Sequence, residues 1–255
     1  LANKQKPELI ITVDNGIASI EGVKKANSYG IDVLITDHHL PAKDLPDAKF
    51  IVNPNQSACH FPSKNLCGVG VIFYVLLSLR KELRKLNRYL TEPEPILSDL
   101  LDLVALGTIA DLVKLDFNNR ILVNYGIKKI RSGNCNFGIE ALARLSKIKL
   151  EHIKTSDLSF SIAPKINAAG RLDDMSIGIK CLIANNKNEA ENYAKQLVAF
   201  NEQRKLVENK MKDEALSILS DCVVEENYTI TLYDIKWHQG VIGILASRLK
   251  EKYYR

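Results

Sequence analysis

Two short apolar runs, each ending in a carboxylate, constrain what this chain can fold into more than any other feature. Leu9-Ile10-Ile11-Thr12-Val13 leads into Asp14-Asn15-Gly16, and Ile31-Asp32-Val33-Leu34-Ile35-Thr36 leads into Asp37-His38-His39. A helix-like stretch from Ala18 to Tyr29 separates them. Strand–helix–strand order is the βαβ unit of a parallel sheet. Ligands of open parallel sheets bind outside the carboxyl ends of the strands, so Asp14 and the Asp37-His38-His39 cluster are expected on one rim. Carboxylate oxygens beside imidazole nitrogen suit Mn²⁺ or Mg²⁺ better than a sulfur-rich zinc site does. An Asp closing a strand is often only the cap of the next helix, and a lone His is usually structural. Two adjacent His behind an Asp, with a second Asp on the neighbouring strand, favour metal chemistry.

At 255 residues the chain has room for one large or two ordinary domains. Its 46% hydrophobic and 25% charged residues give the balance of a soluble globular protein. The longest uncharged stretch, Asn65 to Leu79, is too short to span a bilayer. No apolar signal-peptide core follows the charged N-terminus. There is no initiator Met, and the chain stops just after a helix-like run, as expected of an internal fragment. The five Cys (59, 67, 135, 181, 222) are scattered without CxxC spacing, which argues against a zinc ribbon or a disulfide framework and for the cytoplasm. A net charge of +5 is compatible with a phosphate-bearing substrate but does not demonstrate one.

Further along, Lys49 to Val52 reads as a third strand leading into Asn53-Pro54, and Ser57 to Cys67 as a loop. Gly68 to Leu79 reads as an apolar helix with a basic, solvated end at Arg80 to Lys85. Ile96 to Leu106 is apolar on nearly every face and so predicted to be buried. It runs into Gly107-Thr108-Ile109-Ala110-Asp111, where a carboxylate in an apolar neighbourhood must be paired, hydrogen-bonded or metal-bound, or else caps a helix junction. Ser161 to Arg171 reads as a loop of small residues carrying Lys165 and Arg171. It suits either close approach to a phosphate or an ordinary helix connection. Asp173-Asp174 precede a helix from Ser176 to Ala184, and Lys187 to about Leu219 forms a long charged helix that reads as a connector. Tyr228 to Tyr233 is read as a new strand, followed by Trp237-His238-Gln239-Gly240 and a helix from Val241 to Arg248.

Taken in order, Val-Asp-Asn-Gly at 13–16, Asp-His-His at 37–39, Gly-Thr-Ile-Ala-Asp at 107–111, Asn-Ala-Ala-Gly-Arg at 167–171 and Trp-His-Gln-Gly-Val-Ile-Gly-Ile at 237–244 resemble the DHH phosphoesterase superfamily. The last two point to its RecJ family of single-strand-specific DNA exonucleases, and the resemblance covers almost the whole chain. It implies an α/β fold in which a parallel-sheet DHH domain (residues 1–186) is joined by a connecting helix (187–219) to the start of a DHH-associated domain (220–255). The implied activity is two-metal, Mn²⁺- or Mg²⁺-dependent hydrolysis of single-stranded DNA from its 5′ end, in repair and recombination. On the same resemblance, Asp14 bridges the two metals, His38 and Asp111 ligate the second, His39 touches the scissile phosphate and Asp37 orients the histidines. Arg171, Asn167 and His238 are the implied nucleic-acid contacts. The implied partners are single-stranded DNA, a single-strand-binding protein and a helicase, with a monomeric, non-membrane enzyme. The family's Asp-Tyr-Asp-x-Asp-Gly motif and its elements beyond Arg255 are absent, so half of a two-metal site is expected here and the chain alone is predicted to be inactive. Two other functions compete. A hydrolase of pyrophosphate or short oligonucleotides fits poorly with the long connector and Trp237-His238. A non-catalytic DNA-binding scaffold fits poorly with Asp14, His38, His39 and Asp111 occurring together.

Overall fold

The computed structural model describes residues 2–172, 174–220 and 228–254. Asp173 and Cys222, both singled out above, lie outside the described residues, as do residues 221–227 near the expected start of the second domain. The first half contains α1 (Ala2–Gln5), β1 (Leu9–Val13), α2 (Ile20–Asn27), β2 (Asp32–Thr36), β3 (Phe50–Val52), α3 (Gly68–Lys85), α4 (Leu101–Ala110) and α5 (Phe117–Arg131). There follow α6 (Phe137–Leu145), α7 (Thr155–Asp157), α8 (Ala163–Leu172), α9 (Ser176–Leu182), α10 (Lys187–Ser220) and α11 (Ile242–Tyr253). These elements form two compact units: Leu1–Cys135 with Leu150–Ser159, and Asn136–Lys149 with Phe160–Arg255.

The first unit is built on a parallel sheet in the order β1-β2-β3, the βαβ arrangement expected from the two apolar runs. Side chains alternate across a strand, so Val33 and Ile35 turn to one face, where Val23 of α2 covers them. Leu9, Ile11, Val13, Phe50 and Val52 are exposed. A second cluster gathers Leu66, Val71, Phe73, Leu97, Val104 and Leu122. α3 continues without a break through Arg80–Lys85, and Arg84 near its end pairs with Glu94. The apolar run at 96–106 begins as a 3₁₀ turn, Leu97–Leu100, and becomes helical as α4, which ends at Ala110. Leu97, Val104, Ala105 and Leu106 of this run are buried as expected, whereas Ile96 at its start is exposed.

The second unit is helical. α10, 34 residues and about 50 Å long at 1.5 Å per residue, is packed by α6, α8 and α9, against which it buries Ala190, Ala194 and Leu197. Further along, Met211 and Ala215 form a core with Val241 and Leu245. Two expectations are corrected here. The segment 161–171 is not a loop: a π-helical turn, Leu158–Ile162, leads into α8. Ala163, Ile166, Ala168 and Ala169 are buried in it, and the packing of that face outweighs the weak helix signal of Pro164 and Gly170. Tyr228 to Tyr233 does not form a strand, because no neighbouring strand among the described residues offers it a ladder. None of the described helices is long and apolar enough to cross a membrane.

Candidate metal centre

Val13, Thr36 and Val52 pair across the three strands, so Asp14, Asp37 and Asn53 leave the sheet side by side at its carboxyl edge. The ladder continues one step further. The Asp14 N–H donates to the Thr36 carbonyl at 2.9 Å, and the Asp37 N–H to the Val52 carbonyl at 3.1 Å. Asp14 then turns through the left-handed region, φ 67°, which Asp tolerates better than bulkier residues do. Its carboxylate lies against the start of α3, where Gly68 leaves room for it; a Cβ on Gly68 would overlap the Asp14 side chain. A helix N-terminus also favours an anion.

His38 stands between two carboxylates. Its Nε2 is 3.0 Å from Asp14 Oδ1 and 3.4 Å from Asp111 Oδ2. Asp111 is the C-cap of α4, held by its N–H bond to the Gly107 carbonyl at 3.0 Å. Burial pushes the Asp111 carboxyl up; His38 opposes that shift and the Asp14 charge adds to it. Although close to both oxygens, the buried Nε2 makes no hydrogen bond of acceptable geometry. An imidazole nitrogen and two carboxylate oxygens that converge without a well-formed hydrogen bond match the donor set of a hard divalent cation. Asp14, His38 and His39 also bring ligating atoms within 4.8 Å of one another, so His39 borders the same point.

Asp37 turns inward instead. It is 1% exposed and accepts the N–H of Ile17 at 2.9 Å, those of His38 and His39 at 2.7 and 3.1 Å, and a bond from His39 Nδ1 at 2.7 Å. Burial works against its ionisation, but the bonds from Ile17, His39 and His38 outweigh burial and hold its carboxyl below the usual range. An ionised Asp37 can only accept, so His39 Nδ1 carries the proton. The bond to Asp37 raises the His39 pKa, partly offset by burial.

The remaining site residues predicted from sequence lie in the second unit. Asn167 and Arg171 are exposed one turn apart on α8. Arg171 Nη1 donates to the Gly240 carbonyl at 3.1 Å, and the Gly240 N–H donates to His238 Nδ1 at 3.1 Å. Gly240 allows this approach, since a Cβ there would strike the Arg171 carbonyl. The Asn-Ala-Ala-Gly-Arg and Trp-His-Gln-Gly segments, some seventy residues apart in sequence, thus meet at one place.

Residues 2–108 match the family model described as the DHH family, N-terminal domain. The chain is 50% identical over 258 residues to the single-stranded-DNA-specific exonuclease RecJ of Haemophilus influenzae, and 48% identical over 260 residues to that of Escherichia coli. The chain is a RecJ-like homologue of the DHH superfamily. Both alignments cover 100% of this chain and 45% of the relative, so the RecJ-like chain spans less than half the length of these curated relatives. Among solved structures it is similar to RecJ from Thermus thermophilus in complex with Mn²⁺, with TM-score 0.84 and 31% identity over 100% of this chain and 37% of that one. A crystal structure of exonuclease RecJ bound to manganese gives TM-score 0.83 and 31% identity, covering 100% of this chain and 62% of that one.

Three residues that adjoin this point escape a reading of sequence alone. Gly68 looks only like a helix start, because its closeness to Asp14 is a tertiary fact. Asn53 and Asn55 sit at the end of β3, and the strand-end rule that selects Asp14 and Asp37 applies to them equally.

Proposed function

We propose that the full-length protein is a Mn²⁺- or Mg²⁺-dependent exonuclease that hydrolyses single-stranded DNA from its 5′ end, in DNA repair and recombination. The observation that carries this reading is His38 Nε2 lying 3.0 and 3.4 Å from the carboxylates of Asp14 and Asp111 without a hydrogen bond of acceptable geometry. In such a site, divalent ions lower the pKa of water and offset charge on the attacking and leaving oxygens. Asp14, His38 and Asp111 would hold a cation, and Asp14, at the edge of this set, would also serve a second one. His39 is the group that meets the scissile phosphate: Asp37 keeps Nδ1 protonated and the ring fixed. Arg171, with Asn167 one turn earlier and His238 beside Gly240, forms a phosphate-binding edge on the second unit.

In domain terms, residues 1–186 act as the DHH domain, 187–219 as the connecting helix and 220–255 as the start of the DHH-associated domain. The enzyme works in the cytoplasm as a monomer, alongside a single-strand-binding protein and a helicase that expose its substrate. One imidazole and two carboxylates suffice for one ion, so the 255-residue chain alone is expected to bind Mn²⁺ without cutting DNA. Mn²⁺-dependent nuclease activity of the purified chain would overturn that expectation.

The test uses the full-length protein with Mn²⁺ and single-stranded DNA labelled at either end, with His38→Ala as control and pyrophosphate as rival substrate. Loss of nucleotides from the 5′ end, abolished by His38→Ala, supports the proposal. Binding of DNA without cleavage favours a scaffold instead, and turnover of pyrophosphate alone favours a small-substrate hydrolase.

A further inference from the structure

The turn Asn53-Pro54-Asn55 has no part in the roles assigned above, yet it touches both histidines. Asn53, 2% exposed, donates from Nδ2 to the His39 carbonyl at 2.9 Å. Asn55 donates from Nδ2 to the His38 carbonyl at 2.5 Å. The two are joined to each other, since the Asn55 N–H donates to Asn53 Oδ1 at 2.8 Å. From the other side, Asp37 Oδ1 accepts the N–H groups of both histidines. All four backbone polar groups of His38-His39 are therefore held by side chains.

This arrangement answers a problem the topology creates. The sheet ladder ends with the Asp37 N–H bond to the Val52 carbonyl, and no regular element includes residues 37–41. Backbone carbonyls released from a ladder need another donor. Only an amide side chain can donate to a carbonyl through nitrogen while accepting an N–H through oxygen, and Asn53 does both. The turn is itself anchored: Lys64 Nζ donates to the Pro54 carbonyl at 2.6 Å, and Gln56 Nε2 to the Ile51 carbonyl at 3.2 Å.

We infer that Asn53 and Asn55 are positioning residues, a pair of amide clamps that fix the His38-His39 backbone from the neighbouring strand end so that both rings face the cation point. The inference rests on the metal reading proposed above. Asp37 and the two amides grip opposite sides of the same dipeptide, so losing either side frees the rings to swing. Outer groups that hold a metal ligand in place change metal affinity when removed, by about 10–100-fold.

The test is Mn²⁺ titration of the 255-residue chain, following free Mn²⁺ by electron paramagnetic resonance, together with urea unfolding in the absence of metal. Asn55→Ala removes the clamp on His38. The isosteric Asn55→Asp keeps the shape but sets a carboxylate against the His38 carbonyl. Asn27→Ala is the control, since Asn27 makes a similar bond, Nδ2 to the Asp47 carbonyl at 2.7 Å, elsewhere in the same unit. Both Asn55 variants are expected to fold and to bind Mn²⁺ about tenfold more weakly or worse, whereas Asn27→Ala keeps the wild-type affinity. Wild-type affinity in the Asn55 variants, or an equal loss in Asn27→Ala, would overturn the inference. A wild-type chain that binds no Mn²⁺ would overturn the metal reading beneath it.

Discussion

At the scale of single residues, the site depends on groups that leave room as much as on groups that bind. Gly68 admits the Asp14 carboxylate to the start of α3, so Gly68→Ala must displace one or the other. Overpacking of this kind costs about 1–3 kcal/mol. We expect urea unfolding to show a loss in that range, and Mn²⁺ titration to show weaker binding from the displaced Asp14. Asp116 illustrates a different dependence. It caps α5 by accepting the Asn119 N–H, and it also accepts from Ser63 and Asn65. Burial resists its ionisation, but the bonds from Asn119, Asn65 and Ser63 prevail and hold its carboxyl below the usual range. A depressed folded pKa gives stability that is complete above the unfolded value, about 3.9, and is lost as pH falls through the folded one. Urea unfolding at pH 7, 4 and 3 should therefore show wild type losing more stability on acidification than Asp116→Asn; equal losses would refute the assignment.

At the scale of elements, register decides what a strand end delivers. Parallel pairing of Val13 with Thr36, and of Thr36 with Val52, brings Asp14, Asp37 and Asn53 to one edge; a slip of one residue would turn each to the other face. In the second unit, the buried Glu208 of α10 joins the largely buried Arg204 and the exposed Arg248 in an ion cluster. Arg204 Nη1 pairs with Glu208 Oε2 at 2.5 Å, and Arg248 of α11 meets Glu208 Oε1 at 3.3 Å. Arg204 Nη2 donates to Asn201 Oδ1 at 2.9 Å, while its Nε is buried without a partner. Glu208→Ala would leave the largely buried Arg204 guanidinium without its carboxylate and with only Asn201 as partner, at a cost approaching the roughly 3–5 kcal/mol of a broken buried pair. Chemical denaturation that finds a loss below 1 kcal/mol (roughly the value of an exposed pair) would show that the cluster is solvated.

At the scale of the whole molecule, the cation point belongs to the first unit alone. A ligand that binds only the folded state stabilises it by mass action, by about 2.7 kcal/mol at a hundred times its Kd. Hydrogen exchange with and without saturating Mn²⁺ should thus show new protection around 14–16, 37–39, 53–55 and 107–111. Protection spread evenly over the 255 residues would place the ion elsewhere. The sequence by itself determined the parallel sheet, the strand-end placement of Asp14 and Asp37-His38-His39, the extent of α10 and the family. All of these follow from local periodicity and from motifs contiguous in the chain. Tertiary structure decided the rest. It made 158–172 helical, because burial of Ala163, Ile166 and Ala169 outweighs the local signal. It left 228–233 unpaired among the described residues, because a strand exists only beside another. Asp111 and Asn55 reach His38, the former from 73 residues away in sequence, and Gly68 lies against Asp14. A convergence of that kind is written in no local pattern, since it depends on where packing brings distant elements to rest.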